Sequence, residues 1–219
     1  MPAAASSRQP GASNRFSGSE AQRLLAGERR WLAGQLASRP ARPWLWIAPT
    51  ERPPTDVPAP RGLWLQREGE GYAGTLRCGL PLPVPNDSLG DVVLQHPQVR
   101  GASALLAESA RVLVDGGRLW LFLGNPWSPY RLHRRSLPVS PVTPWQQCLR
   151  GHGLQVGPPR FIGPCWRLPS PDADDAAFWR DDGRTGSLLR ACCVVVAEKR
   201  VVPATPTPVA WRHGAAPAA

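Results

Sequence analysis

Two apolar runs constrain this chain more than any other feature. Leu89–Gln95 carries Val92, Val93 and Leu94 in succession, and Arg118–Leu123 is apolar on consecutive residues as well. A strand whose successive side chains are all apolar must be covered on both faces, which happens in a parallel sheet held between two helix layers. Between these runs, Ser103–Val114 places Leu106, Ala110 and Leu113 on one stripe and Glu108, Arg111 and Asp115 elsewhere, the 3.6-residue pattern of a helix. Gly116-Gly117 is expected to stop that helix. Strand, helix and strand in this order form a βαβ unit with a right-handed crossover.

The remaining segments extend this unit. Ser19–Ala37 reads as an amphipathic helix with Leu24, Leu25, Trp31, Leu32 and Leu36 at helical spacing, and Ser19 with Gln22 fits a capping box. Arg39-Pro40 and Arg42-Pro43 end it. Trp44–Ala48, Gly62–Gln66 and Thr75–Cys78 are the first three strand candidates. Thr143-Pro144-Trp145-Gln146 is a helix start, with Thr as cap and Pro at the first helical position, and Gly151 or Gly153 is its end. Phe161–Trp166 and Ala191–Glu198 are strand candidates, and Ala173–Arg180 is a short helix candidate. The expected fold is α/β: a Rossmann-like open sheet of about seven mostly parallel strands with helices on both faces. Residues 18–202 are expected to form one domain with an N-terminal helix. Residues 1–17 read as a disordered lead-in and 203–219 as a Pro-rich tail.

Composition narrows the function classes. The five cysteines (78, 148, 165, 192 and 193) are an odd set without a Cys-x-x-Cys pair, so buried free thiols are expected and no metal is assigned from spacing. The net charge of +10 invites a nucleic-acid partner. Against that, nearly all the basic residues are Arg and Lys199 is the only Lys, which points to a compositional bias. The one dense cluster is Arg131, His133, Arg134 and Arg135, read as a solvated loop with phosphate or acid binding as the functional alternative. No apolar run approaches the roughly 20 residues of a membrane span, and Met1–Asn14 has no signal-like apolar core, so a cytoplasmic protein is expected. No Ser-His-Asp arrangement or phosphate-loop motif is present.

Leu82-Pro-Val-Pro-Asn-Asp-Ser-Leu-Gly-Asp-Val-Val-Leu-Gln-His96 and Leu106-Ala-Glu-Ser-Ala-Arg-Val-Leu-Val-Asp-Gly-Gly-Arg-Leu119 resemble the type 11 group of class I S-adenosylmethionine-dependent methyltransferases. Gly124-Asn-Pro-Trp-Ser128 and the segment Ala197–Pro206 are similar to a bacterial subgroup of it. The resemblance implies S-adenosylmethionine as cofactor, held at the carboxyl ends of the first four strands, and a methyl acceptor of unknown identity. Carried over by position, Ala48 ends the cofactor-loop strand. Glu68 or Glu70, with Gln66 near them, falls where an acidic residue holds the ribose hydroxyls. Cys78 or Gly79 falls at the adenine side, and Gln95 and His96 close the fourth strand. His96 is a candidate general base or a structural strand cap, and no catalytic residue is assigned. Asn125, Trp127 and Tyr130 are the candidate substrate residues, because an amide beside an indole suits a planar group or a cation.

The chain departs from the family where glycines are expected. Pro49-Thr50-Glu51-Arg52-Pro53-Pro54 follows the first strand, and prolines supply neither a close backbone approach nor free amides. This motivates the alternative of a catalytically inactive methyltransferase-fold protein with a binding or regulatory role. That alternative predicts a first-loop edge occupied by Trp or Arg side chains in place of an open cleft.

Overall fold

The computed structural model describes residues 16, 18–50, 62–133, 138–166, 179 and 188–200. The Pro-rich tail, the expected lead-in apart from Phe16, which is buried against His96, and the 173–180 helix candidate apart from Trp179 lie outside the described residues. The elements are α1 (Ser19–Ala37), β1 (Trp44–Ala48), β2 (Gly62–Glu68), β3 (Gly71–Gly74), β4 (Leu89–Gln95), α2 (Ala102–Val112), β5 (Leu113–Gly124), α3 (Tyr130–His133), α4 (Val142–Gly151), β6 (Leu154–Val156), β7 (Arg160–Ile162) and β8 (Cys192–Lys199).

The strand order is β3-β2-β1-β4-β5-β8-β6, with β7 also on β8. The four central strands, β2, β1, β4 and β5, are parallel, and the two outer parts are antiparallel. β6 and β7 pair successive stretches of β8 with a one-residue change of register. They act as one edge strand interrupted at residues 157–159.

Alternation sorts the strand side chains onto two faces. Leu45, Ile47, Val92, Leu94, Leu119, Leu121, Cys193 and Val195 meet α2 and α4 through Leu105, Leu106, Trp145 and Leu149. Trp46, Trp64, Val93, Trp120, Phe122 and Val194 meet α1 through Leu24, Trp31 and Leu32. Trp31 stands edge-on to both Trp120 and Phe122, at ring separations of 6.3 and 6.0 Å. Gly27 leaves room on α1 for the Trp179 indole, since a Cβ there would lie 2.0 Å from the ring.

Several local expectations are corrected. α1 has Gly18 as its N-cap with no side-chain cap, and Gln22 Nε2 donates instead to the Phe16 carbonyl at 2.6 Å. α4 begins at Val142 behind Pro141, so Thr143 lies inside the helix, and Pro144 remains in the first turn, where a missing N–H costs nothing. α2 ends at Val112, and Gly116-Gly117 lies within β5, where Gly116 has φ +70° and the ladder to β4 shifts register. The third strand is Gly71–Gly74, folded back on β2 as a hairpin, and Cys78 reaches it only through an isolated bridge to Tyr72.

The segment entering β4 is tied to α2 by one ion pair. Arg111 donates to both carboxylate oxygens of Glu108, at 2.9 and 2.8 Å, and to the Val84 and Leu82 carbonyls, while the Leu82 amide donates to Glu108. The bond from Arg111 holds the Glu108 carboxyl below its ordinary value of 4.5 against the opposing pull of burial. A folded-state value depressed in this way adds stability above 4.5 that is lost as pH falls through the folded value. Glu108→Gln is therefore expected to cost about 1–2 kcal/mol at neutral pH, with the difference from the parent shrinking as pH falls below 4.5, read by urea unfolding at several pH values.

Candidate functional site

The carboxyl ends of β1, β4 and β5 lie side by side. Ile47 pairs Leu94, Gln95 pairs Phe122, and the His96 amide donates to the Phe122 carbonyl at 3.0 Å. Ala48, Gln95 and His96 thus meet at one edge, as expected from the sequence. His96 adopts φ +47°, in the left-handed region, which turns the chain sharply out of β4.

α1 lies over this edge and contributes two residues that sequence reading missed. Glu28 is fully buried. Its Oε1 is 2.9 Å from His96 Nε2, and its Oε2 accepts from Gln95 Nε2 at 2.7 Å. Burial pushes the Glu28 carboxyl up, but the charge of His96 and the bonds from His96, Gln95 and Cys192 outweigh it and hold it below its ordinary value. Arg29 donates through Nε to Gln95 Oε1 at 3.2 Å and through a terminal nitrogen to Thr50 Oγ1 at 3.0 Å. Its guanidinium lies 5.1 Å over the Trp64 ring. The signal was available: Glu28 sits three and four residues from Leu24, Leu25, Trp31 and Leu32, in the middle of the apolar stripe.

The loop after β5 is built on side-chain bonds. Asn125 Nδ2 donates to the Leu188 and Arg190 carbonyls, and its Oδ1 accepts from the Trp127 amide. Ser128 donates to the Leu189 carbonyl and accepts from the Tyr130 amide. Asn125 therefore pins this turn to the segment entering β8. Trp127 is 81% exposed beside it. Tyr130 is buried, with no partner for its hydroxyl, and burial together with the Glu28 charge pushes that hydroxyl up to about 12. Arg131 donates to the Pro126 carbonyl, while Arg134 and Arg135 lie outside the described residues.

The other sequence candidates lie further out along the sheet. Glu68 ends β2 beyond the parallel ladder and pairs with Arg77 at 3.0 Å. Glu70 is at the hairpin turn, exposed, 3.8 Å from Arg67 and 3.9 Å from Arg100. Cys78 bridges the outermost strand, so β1 and β2 as well as β3 separate it from Gln95 and His96.

The fit of S-adenosylmethionine to this edge can be tested on the residues present. Both polar ends of the Gln95 carboxamide are taken by α1: the oxygen by Arg29, and the nitrogen by Glu28 and the Leu25 carbonyl. Ala48 and Gln95 are buried. The cavity at this edge, lined by Leu24, His96, Asn125, Ser128, Tyr130 and Ala191, has a volume of about 10 Å³. That is room for about one water, against roughly 300–1,000 Å³ for a small-molecule pocket. As arranged, the described residues of this edge do not fit the cofactor.

No protein-family model and no curated protein sequence matches the chain. Solved structures do. A methyltransferase from Thermotoga maritima, described as a possible histamine N-methyltransferase, aligns with TM-score 0.54 at 14% identity, covering 86% of this chain and 99% of its own. An S-adenosylmethionine-dependent methyltransferase from Archaeoglobus fulgidus aligns with TM-score 0.52 at 14% identity, covering 85% and 97%. The 4+2 cyclase SpnF aligns with TM-score 0.51 at 11% identity, covering 84% and 85%. By its fold, the chain is similar to class I methyltransferases: a mixed Rossmann-like sheet, parallel at its centre, with helices on both faces.

Proposed function

We propose that this chain is an S-adenosylmethionine-dependent methyltransferase of the type 11 group, working in the cytoplasm on an acceptor still to be assigned. The observation that carries this reading is the likeness of fold to methyltransferases over 85–86% of the chain. The Leu82–Leu119 motifs support the finer group. Fold alone does not fix chemistry, since a cyclase shares this one. Among the described residues, Glu28 and Arg29 are seated on Gln95 where the cofactor would lie, so this reading requires the middle of α1 to withdraw. The acceptor would meet Trp127, the exposed residue of the Asn125–Tyr130 turn, and Arg131 just after it.

One observation favours a second reading, a binding or regulatory protein that keeps the fold without methyl transfer. Arg29 over Trp64 fills the first-strand edge with the kind of side chains that reading predicts.

Calorimetric titration with S-adenosylmethionine, and with its demethylated product, separates the two. Binding at micromolar to low millimolar ligand supports the first reading, and no heat at millimolar ligand rejects it in favour of the second. Arg29→Ala sharpens the comparison, because it removes two charge-assisted bonds and a ring contact. It is expected to cost about 2–4 kcal/mol in urea unfolding. Under the first reading it also tightens cofactor binding by about tenfold or more, because the cofactor no longer competes with the guanidinium. Under the second it leaves binding undetectable.

A further inference from the structure

Three buried side chains from distant parts of the sequence converge beneath α1. Glu28 of α1, His96 at the end of β4 and Cys192 at the start of β8 offer a carboxylate oxygen, an imidazole nitrogen and a sulfur, all within 4.8 Å of one another. We propose that these three residues bind Zn²⁺, with a water in the adjoining cavity beside Tyr130 as the fourth ligand.

The donor set selects the ion. Oxygen, nitrogen and thiolate together suit a borderline cation such as Zn²⁺, whereas Ca²⁺ and Mg²⁺ take oxygen ligands. Charge selects it too, because a dication with one thiolate and one carboxylate makes a neutral buried group around a neutral imidazole. Binding displaces two protons to solvent, the Cys192 thiol proton and the one that His96 Nε2 shares with Glu28, and the Glu28–His96 hydrogen bond gives way to the two metal bonds. The geometry is close to what is needed. Glu28 Oε1 and His96 Nε2 are 2.9 Å apart. Two tetrahedral ligands at about 2.0–2.1 Å from zinc would sit roughly 3.3 Å apart, so the pair opens by only a few tenths of an ångström.

A second observation points the same way. His96 Nδ1 and the Tyr130 hydroxyl are both buried and without a hydrogen-bond partner. Both residues line the one-water cavity at this edge. A buried polar atom left in this state is unfavourable, and a zinc-bound water in that cavity gives the Tyr130 hydroxyl a partner. A metal here would tie α1 to two strands of the sheet, and this holds under either reading of function.

The test uses the full chain, demetallated and kept reduced, titrated with Co²⁺ as a spectroscopic substitute for zinc. One equivalent is expected to produce the visible bands of four-coordinate cobalt with a near-ultraviolet thiolate-to-cobalt band, and Zn²⁺ is expected to abolish both. Cys192→Ser is expected to remove the thiolate band and weaken Zn²⁺ binding by about 100-fold or more. The control is Cys148→Ser, which removes the helical Cys148–His152 pair, 3.6 Å apart, and is expected to keep the band. Absence of a thiolate band in the parent protein overturns the proposal whatever the variants do. So does a band that survives Cys192→Ser or disappears with Cys148→Ser. If Cys192→Ser does not fold, Glu28→Gln takes its place and is expected to weaken Zn²⁺ binding while keeping the thiolate band, and unchanged affinity there also overturns the site.

Discussion

The buried carboxylate of Glu28 is the constraint on which the rest of this edge depends. Removing a charge from water is unfavourable by several kcal/mol unless its partners are placed well. Here the partners are Gln95 and His96, at the end of β4, and Cys192, at the start of β8. Each partner fixes α1 against a different point of the sheet, so the helix has one register along its length and one rotation about its axis. The indole packing of Trp31 on Trp120 and Phe122 alone would tolerate small slides, because apolar contact is not directional. The polar cluster removes that freedom, and it does so at the strand ends where open α/β sheets bind ligands.

This arrangement makes fold and function separable questions. The parallel centre with antiparallel flanks is shared with methyltransferases and with a cyclase. At the end of β1 the arrangement is local: an arginine is laid on Trp64 and hydrogen-bonded to Thr50. The side chains of the strand ends face inward, toward α1, in place of a ligand. The neighbouring Asn125 is equally committed, with three bonds to main-chain atoms holding the turn that presents Trp127. An amide and an indole two residues apart therefore have opposite placements, one bonded into the fold and one facing solvent.

The central βαβ unit was legible because two-sided apolar strands have few other uses, and the strand pattern of β1, β4, β5 and β8 carried the layer order with it. The convergence of Ala48, Gln95 and His96 followed from that order. What was not legible depended on contacts remote in sequence. Glu28 meets partners 67 and 68 residues away, and nothing local distinguishes it from a solvent-facing carboxylate except its place in the apolar stripe. Capping signals failed for a related reason. Gly18 and Pro141 hold the N-cap positions, and Gln22 satisfies the Phe16 carbonyl, so tertiary placement outweighed side-chain preference. Gly116-Gly117 reads as a helix stop in isolation, yet β5 starts before it and absorbs the pair as an irregularity in its ladder.

Lys199 is the single lysine of the chain, and its ammonium is fully engaged. It donates to Asp87 at 2.7 Å and to the Ala110 and Leu113 carbonyls at 2.8 Å each, capping the end of α2 from the last residue of β8. Its three hydrogen bonds tie the ammonium to the end of α2 and hold it against the fold. The positive charge of this chain is thus carried by guanidinium groups, and its one lysine side chain is tied into the fold. Among side chains, an exposed thiol such as Cys165 is then a more accessible nucleophile for attachment chemistry than the lysine.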